Sequence, residues 1–249
     1  MYFKRVVQEP CHAWHIFCNV CVTPNTKQIN TMAKTTLTIS SKNYSSWSLR
    51  GWLMVKLAGL AFEEVPVATD NVDARAELLL LSPSILVPCL EHGKAKVWDT
   101  LAMGEYLNEI APKAALLPTN AVHRAHCRSI CGEMHSGFSA LRASLPMNIK
   151  GHFKKFKVWS KAQLDIDRVL FIWRDCLTSY KGPFLFGKKP TLADCMFAPV
   201  VTRFITYGIA LDPVCAAYCQ KILSMPEMKE WMAAATAEPD DIEELEVEF

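Results

Sequence analysis

The segment Leu86–Asn108, LVPCLEHGKAKVWDTLAMGEYLN, decides the fold. Val87-Pro88 leads into the apolar pair Cys89-Leu90, His92-Gly93 marks a turn, and Ala95–Trp98 reads as a second short strand. Asp99-Thr100 then starts a helix whose apolar residues Met103, Tyr106, Leu107 and Ile110 recur at spacings of three and four. Proline cannot donate to a sheet ladder, so Pro88 is expected to begin an edge strand, and it is the residue type that admits a cis peptide bond. The segment predicts strand, hairpin, strand and helix, with an acid and a hydroxyl at the helix entrance.

A helix entrance offers unpaired N–H groups and partial positive charge, which suit a carboxylate. Thr100 adds a hydroxyl donor and Asp99 an acceptor for an ammonium group. The strand from Val87 exposes main-chain groups that can pair with an extended peptide. Together these features suit a small peptide such as glutathione. The competing reading is that Asp99 and Thr100 only cap the helix, at about 1 kcal/mol.

Working upstream, Thr35–Ser40 (TTLTIS) alternates like a strand, and a polar loop follows from Ser41 to Trp47. A helix with Leu49, Trp52, Leu53, Leu57 and Leu60 on one face closes near Gly59. Phe62–Val67 reads as a strand interrupted by Pro66, and Asp73–Leu81 as a helix. The order β-α-β-α-β-β-α implies a mixed four-stranded sheet of thioredoxin-like layout over 34–111. The Pro-containing stretch 112–120 reads as a linker.

Beyond it the pattern is helical over 121–237, giving an all-α second domain. Ala121–Leu145 reads as one long helix ended by Pro146, Lys150–Lys161 as a basic loop or helix start, and Leu164–Tyr180 as an amphipathic helix. Thr191-Leu192-Ala193-Asp194 has the spacing of a capping box, and Pro199 falls inside the helix that follows. Two short helices, near Val214–Leu223 and Pro226–Ala237, complete the region. The tail 238–249 holds seven acids and no base and reads as solvated or frayed.

The leader 1–31 is unlike the rest and reads as disordered or as preceding the natural start at Met32. Its His12, His15, Cys18 and Cys21 fit no zinc module, so no metal is expected. Across 249 residues the chain is 51% hydrophobic and 21% charged with net charge +2, which gives no electrostatic case for nucleic acid. No apolar run is long enough for a membrane span. Ten scattered cysteines, several in apolar helical stretches, suggest reduced thiols and a cytoplasmic setting.

A thioredoxin-like domain, a short linker and a helical domain together resemble the soluble glutathione transferases over Lys34–Ala237. Three motifs carry the resemblance: Tyr44-Ser45-Ser46-Trp47-Ser48-Leu49-Arg50, similar to the serine loop of the zeta and theta classes; Val87-Pro88 with Asp99-Thr100; and Thr191–Asp194. The resemblance implies that glutathione is a co-substrate gripped by Leu86, Val87, Pro88, Asp99 and Thr100. It also implies that a loop serine activates the thiol. Counting back from Arg50, the theta pattern selects Ser46 and the zeta pattern Ser45; Ser46 is the first choice, with Ser48 an N-cap that assists. A hydroxyl donor and the positive end of the helix both favour thiolate, whose free pKa is ~8.5. Trp47 stands where a redox member would carry cysteine, which argues against disulfide exchange.

A small electrophile is expected between the domains, near Tyr44, His135, Phe138, Arg142, Arg203 and Tyr207. The leading expectation is thiolate attack on that electrophile. A glutathione-dependent isomerase of the maleylacetoacetate type and a non-catalytic interaction module are the alternatives. A homodimer is implied by the resemblance alone.

Overall fold

The computed structural model describes residues 35–67, 87–153 and 156–238. The leader, Leu86, the expected helix Asp73–Leu81 and the tail after Glu238 lie outside the described residues. The sheet layer comprises β1 (Thr35–Ile39), α1 (Ser46–Leu57), β2 (Glu63–Pro66), β3 (Cys89–His92), β4 (Ala95–Trp98) and α2 (Thr100–Ile110). The strand order is β2-β1-β3-β4. β1 runs parallel to β2, with α1 as the crossover, and antiparallel to β3. A two-residue turn, with Gly93 at φ 60°, folds β4 back on β3. Leu37, Leu90 and Val97 fall opposite one another across three strands, so the alternation seen in the sequence sets the register.

Pro88 does not begin an edge strand. β3 lies inside the sheet, and Pro88 stands one residue ahead of its first ladder residue, where a missing N–H removes no bond. The Val87–Pro88 bond is cis. The start of α1 rests on this proline: a Cβ added at Gly51 would lie 2.5 Å from Pro88 Cγ. Glycine is required there by contact, and it brings the first turns of α1 to the loop before β3.

A short 3₁₀ turn, Pro112–Ala114, leads to the helices α3 (Ala121–Ser136), α4 (Ser139–Ser144), α5 (Ser160–Tyr180), α6 (Leu192–Thr206), α7 (Pro213–Leu223) and α8 (Pro226–Ala237). The expected single helix over Ala121–Leu145 is two helices. The chain breaks at Gly137, and Phe138 takes a left-handed φ of 60°. Arg142 then reaches back, its Nε donating to Gly137 O at 3.1 Å and Nη2 to the carbonyls of Met134 and His135. Those are the carbonyls that the end of a helix leaves open.

α6 is buried on nearly every side and centres the helical layer. Asp194 closes the expected capping box and accepts from Thr191 N (2.7 Å), Thr191 Oγ1 (2.9 Å), Leu185 N (3.0 Å) and Tyr218 OH (3.2 Å). Burial still raises its pKa above the usual carboxylate value, against those four bonds. It therefore ties the loop Pro183–Gly187 and α7 to the start of α6. Pro199 lies inside α6 as the sequence indicates. Trp173 packs among Phe197, Phe204 and Tyr218 with ring centroids 4.9–6.1 Å apart. No described helix is long and apolar enough to cross a membrane. The seven described cysteines are free and buried, as the small-hydrophobe reading expects.

Candidate functional site

Asp99 and Thr100 open α2 where the sequence places them. Asp99 is the N-cap: its Oδ1 accepts from Leu101 N at 2.8 Å and Ala102 N at 3.2 Å. Its φ of 72° lies in the left-handed region, which costs a non-glycine residue on the order of 1–3 kcal/mol. In that conformation Oδ2 meets Nε2 of His135 at 3.1 Å. Thr100 is 1% exposed, and its hydroxyl has no partner among the described residues. Both residues line a cavity of about 250 Å³ with Trp47, Val87, Pro88 and His135. A buried hydroxyl without a partner costs about 1–3 kcal/mol. Thr100 is thus a donor held ready at a helix N-terminus beside an acid.

The entrance to α1 is arranged differently. Ser45, not Ser48, is the N-cap. Its hydroxyl accepts from Ser48 N at 3.3 Å and donates to Ser48 Oγ at 2.9 Å. Ser48 is fully buried and also accepts from Ser40 N at 3.0 Å. Ser46 begins the helix, turned inward, and accepts from Arg203 Nη2 at 3.3 Å. Trp47, between these serines, forms the cavity wall, with its ring edge to His135 at 5.1 Å.

Other elements fix the loop that carries the serines. The Glu238 carboxylate accepts from Ser41 Oγ (2.8 Å), Lys42 N (2.6 Å) and Asn43 N (3.1 Å). Trp231 Nε1 donates to Lys42 O at 2.9 Å. Asn43 Oδ1 accepts from Ile149 N and Lys150 N at 2.7 and 3.0 Å. The end of α8 and the loop before α5 thus clamp residues 41–43. Glu238, expected to fray with the acidic tail, is a part-buried partner of this loop instead. No local pattern in the sequence announces a partner almost 200 residues away.

The residues expected around an electrophile divide. His135 joins the cavity at α2, through Asp99. Arg142 faces the Trp47 ring at 5.0 Å and Arg203 contacts Ser46. Tyr44 and Phe138 are buried, and Tyr207 packs its ring against Phe153 and Phe156. Arg50, whose role in the sequence was only to mark the helix start, is buried with Nε on Met196 O at 2.8 Å. Cys89 begins β3 and is buried, and burial raises its thiol pKa.

A larger cavity of about 500 Å³, lined by Leu177, Pro183, Val214 and Tyr218 among others, gathers no comparable set, since Tyr218 uses its hydroxyl on Asp194. Among the described residues His126, Asp175 and Cys176 stand close enough to share a metal ion. Burial pushes the Cys176 thiol up to about 12, and His126 Nδ1 is already paired with the Tyr180 hydroxyl at 2.8 Å.

Comparison with known proteins gives a consistent result. The family model for the glutathione S-transferase N-terminal domain matches residues 44–110, and the model for the C-terminal domain matches residues 125–234. A probable maleylacetoacetate isomerase of Caenorhabditis elegans is 27% identical over 177 residues, covering 68% of this chain and 78% of that protein. Glutathione S-transferase 1 of Dianthus caryophyllus is 29% identical over 174 residues, covering 69% and 78%. Among solved structures, a glutathione transferase homolog from Burkholderia with bound glutathione has a TM-score of 0.64 at 23% identity, covering 82% of this chain and 98% of that one. The maleylacetoacetate isomerase of Anaeromyxobacter dehalogenans, with glutathione in its active site, has a TM-score of 0.58 at 25% identity, covering 84% and 99%.

Proposed function

The chain belongs to the glutathione S-transferase family, and from that premise we propose that the cavity beside Pro88 holds glutathione while a serine at the start of α1 activates its thiol toward a small electrophile. The observation that carries this reading is the unpartnered Thr100 hydroxyl inside the cavity. A γ-glutamyl carboxylate accepts from that hydroxyl at the positive end of α2, and the ammonium group beside it pairs with Asp99. Main-chain groups of Val87, outside the β3 ladder, are offered to the cysteinyl residue.

The thiol then lies toward the start of α1. Ser45 is half-buried, whereas Ser46 is 7% exposed and turned to Arg203, so the burial pattern favours Ser45 as the hydroxyl donor, with Ser46 second. Ser45 gives its proton to Ser48 in the free protein, and turning it to a thiolate exchanges one hydrogen bond for a charge-assisted one. Lowering the thiol pKa by one unit corresponds to about 1.4 kcal/mol of preference for the anion. The electrophile is proposed to approach from the helical layer, past Tyr44, Phe138, Arg142 and Tyr207, with His135 at the boundary.

Two further readings stay within this site. The maleylacetoacetate isomerases among the relatives favour a reaction in which glutathione adds to and leaves the same molecule, so that bond geometry changes and the thiol is recovered. A non-catalytic interaction module would leave the cavity without turnover. Family membership also supports a homodimer and a cytoplasmic location.

The test is a direct titration of glutathione, followed by the ultraviolet absorbance of the bound thiolate against pH. Binding, with the thiol pKa below its free value of ~8.5, is the expected result. Absence of binding removes the proposal. Turnover of a chloronitrobenzene or of maleylacetone then separates transferase from isomerase, and binding with neither reaction favours the module.

A further inference from the structure

Two helices of the helical layer bring three unlike donors together. His126 stands on α3, and Asp175 and Cys176 are neighbours on α5. An imidazole nitrogen, a carboxylate oxygen and the Cys176 sulfur all lie within 4.8 Å of one another. His126 Nε2 faces Asp175 Oδ2 at 4.0 Å, too far for a hydrogen bond. Among the described residues no other three histidine, cysteine or acidic side chains converge this closely.

The imidazole is held from its far side. The Tyr180 hydroxyl, one turn beyond Cys176 on α5, meets His126 Nδ1 at 2.8 Å. The rings of Tyr180 and Phe186 stand against the imidazole, with centroids 5.9 and 5.7 Å away, and pack on each other at 4.6 Å. A hydroxyl accepts as well as donates, so a proton on Nδ1 can go to Tyr180 and leave a bare lone pair on Nε2. That is how a metal-binding histidine is oriented: one ring nitrogen on an outer partner, the other on the ion. Asp175 accepts no hydrogen bond among the described residues, and Cys176, 0% exposed, closes the cluster from the core. Arg168 is near enough to Asp175 to feel its charge but spends its guanidinium on Glu133, at 2.6 and 2.9 Å.

We propose that His126, Asp175 and Cys176 bind one zinc ion, with water in the fourth position, and that the ion ties α3 to α5. Zinc takes nitrogen, sulfur and oxygen donors in a tetrahedron at ~2.0–2.3 Å, which sets the donors about 3.3–3.8 Å apart. The side chains must close by roughly 1 Å to reach that geometry. His126 and Asp175, with side chains 33% and 48% exposed, have room to turn. Calcium and magnesium prefer oxygen donors alone and do not suit this set. The thiol proton leaves to solvent as the sulfur bonds, and the charge of the ion offsets the burial that otherwise keeps Cys176 protonated. None of the three residues lines the cavity beside Pro88, so the site stands or falls independently of glutathione binding.

The test is a cobalt(II) titration of the full chain, reduced with a phosphine, followed by zinc competition against a chromophoric chelator. Cys18 and Cys21 of the leader are rival thiols, so the parent protein for every measurement is Cys18→Ser/Cys21→Ser. One cobalt per chain is expected, with a thiolate-to-metal charge-transfer band and the intense visible bands of tetrahedral cobalt. Cys176→Ala should lose the charge-transfer band. His126→Gln and Tyr180→Phe should each weaken zinc by at least about tenfold, the second through the outer hydrogen bond alone. Absence of binding overturns the proposal, as does a charge-transfer band that persists in Cys176→Ala, which assigns the ion to other thiols.

A second readout avoids any change in the core. Zinc at about one hundred times its Kd should raise the unfolding midpoint of the parent by about 5–10 °C. At the same concentration the exposed substitution Asp175→Asn should show at most about half that rise, as a Kd at least about tenfold weaker requires. An equal rise in parent and variant, or none in the parent, overturns the site.

Discussion

At the entrance to α2 a buried hydroxyl, Thr100 Oγ1, has no partner among the described residues; at the entrance to α1 Ser45, Ser46 and Ser48 all have one. Trp47, the residue between those serines, lines the same cavity as Asp99, Thr100 and Pro88. The first entrance is preorganised: Asp99 is fixed by two backbone amides and by His135, and the donor beside it waits. The second is self-satisfied, so a ligand sulfur must compete with an internal hydrogen bond. The difference teaches that affinity for glutathione should come mostly from α2 and reactivity mostly from α1. Binding and thiolate formation should then respond to different substitutions.

The largest effect is expected at Asp99. Asp99→Ala removes the carboxylate proposed to pair with the ammonium group and the cap of α2, and it leaves alanine at a left-handed φ. Hydrogen bonds to charged groups contribute about 1.5–3 kcal/mol and an N-cap about 1 kcal/mol. Glutathione affinity should fall about 100-fold, measured by calorimetric titration. Asp99→Asn keeps the cap and tolerates the backbone, so it should lose only about tenfold. Wild-type affinity in Asp99→Asn would reduce the acid to a structural cap and break the contrast.

Thr100→Val comes next. The lost hydroxyl has no protein partner, so the unfolding midpoint should hold or rise, while glutathione Kd should increase about tenfold. Thr100→Ser should restore binding. A variant that loses stability rather than affinity would show that the hydroxyl serves the fold.

At α1 the readout changes from affinity to acidity. Ser45→Ala should raise the pKa of bound glutathione by about one unit, so that less thiolate is present at neutral pH, with Kd nearly unchanged. It should also cost about 1 kcal/mol of stability, because Ser45 caps the helix. Ser46→Ala should shift the thiolate pKa less. The reverse ranking would return the role to Ser46, the first choice from sequence.

How much of this was legible in the sequence depends on how local each feature is. The strand Ala95–Trp98, the capping box at Thr191 and the acid–hydroxyl pair at α2 were readable because each is a short-range pattern with a physical requirement. The break at Gly137–Phe138 was not. Met134, Phe138, Leu141 and Leu145 keep helical spacing through it and are all buried, so the apolar pattern is blind to a change of backbone direction. His135 was expected with the electrophile and lies against Asp99 because that break sets where α3 ends. Arg50, Arg142 and Arg203 come from three different helices to Trp47 and Ser46, a meeting that leaves no trace in spacing. The roles proposed for Asp99 and Thr100 toward a ligand rest on family resemblance as much as on the residues.

The smallest expected effect lies farthest along the chain, at Glu238, where the entrance to α1 is most open to disturbance. Its two carboxylate oxygens accept from three donors in residues 41–43. Glu238→Gln keeps the shape but replaces one acceptor oxygen with a donor, so at least one of those bonds becomes a donor–donor contact. The loop is still held by Trp231 and Asn43, so it should loosen rather than detach. The expected result is a rise of a few tenths in the pKa of bound glutathione and a twofold to threefold fall in kcat, with glutathione Kd unaltered because α2 is untouched. A general packing role would lower the unfolding midpoint and leave the thiolate pKa where it was. Equal loss of affinity and acidity would show that the two helix entrances act as one unit, and the division between binding at α2 and activation at α1 would fall.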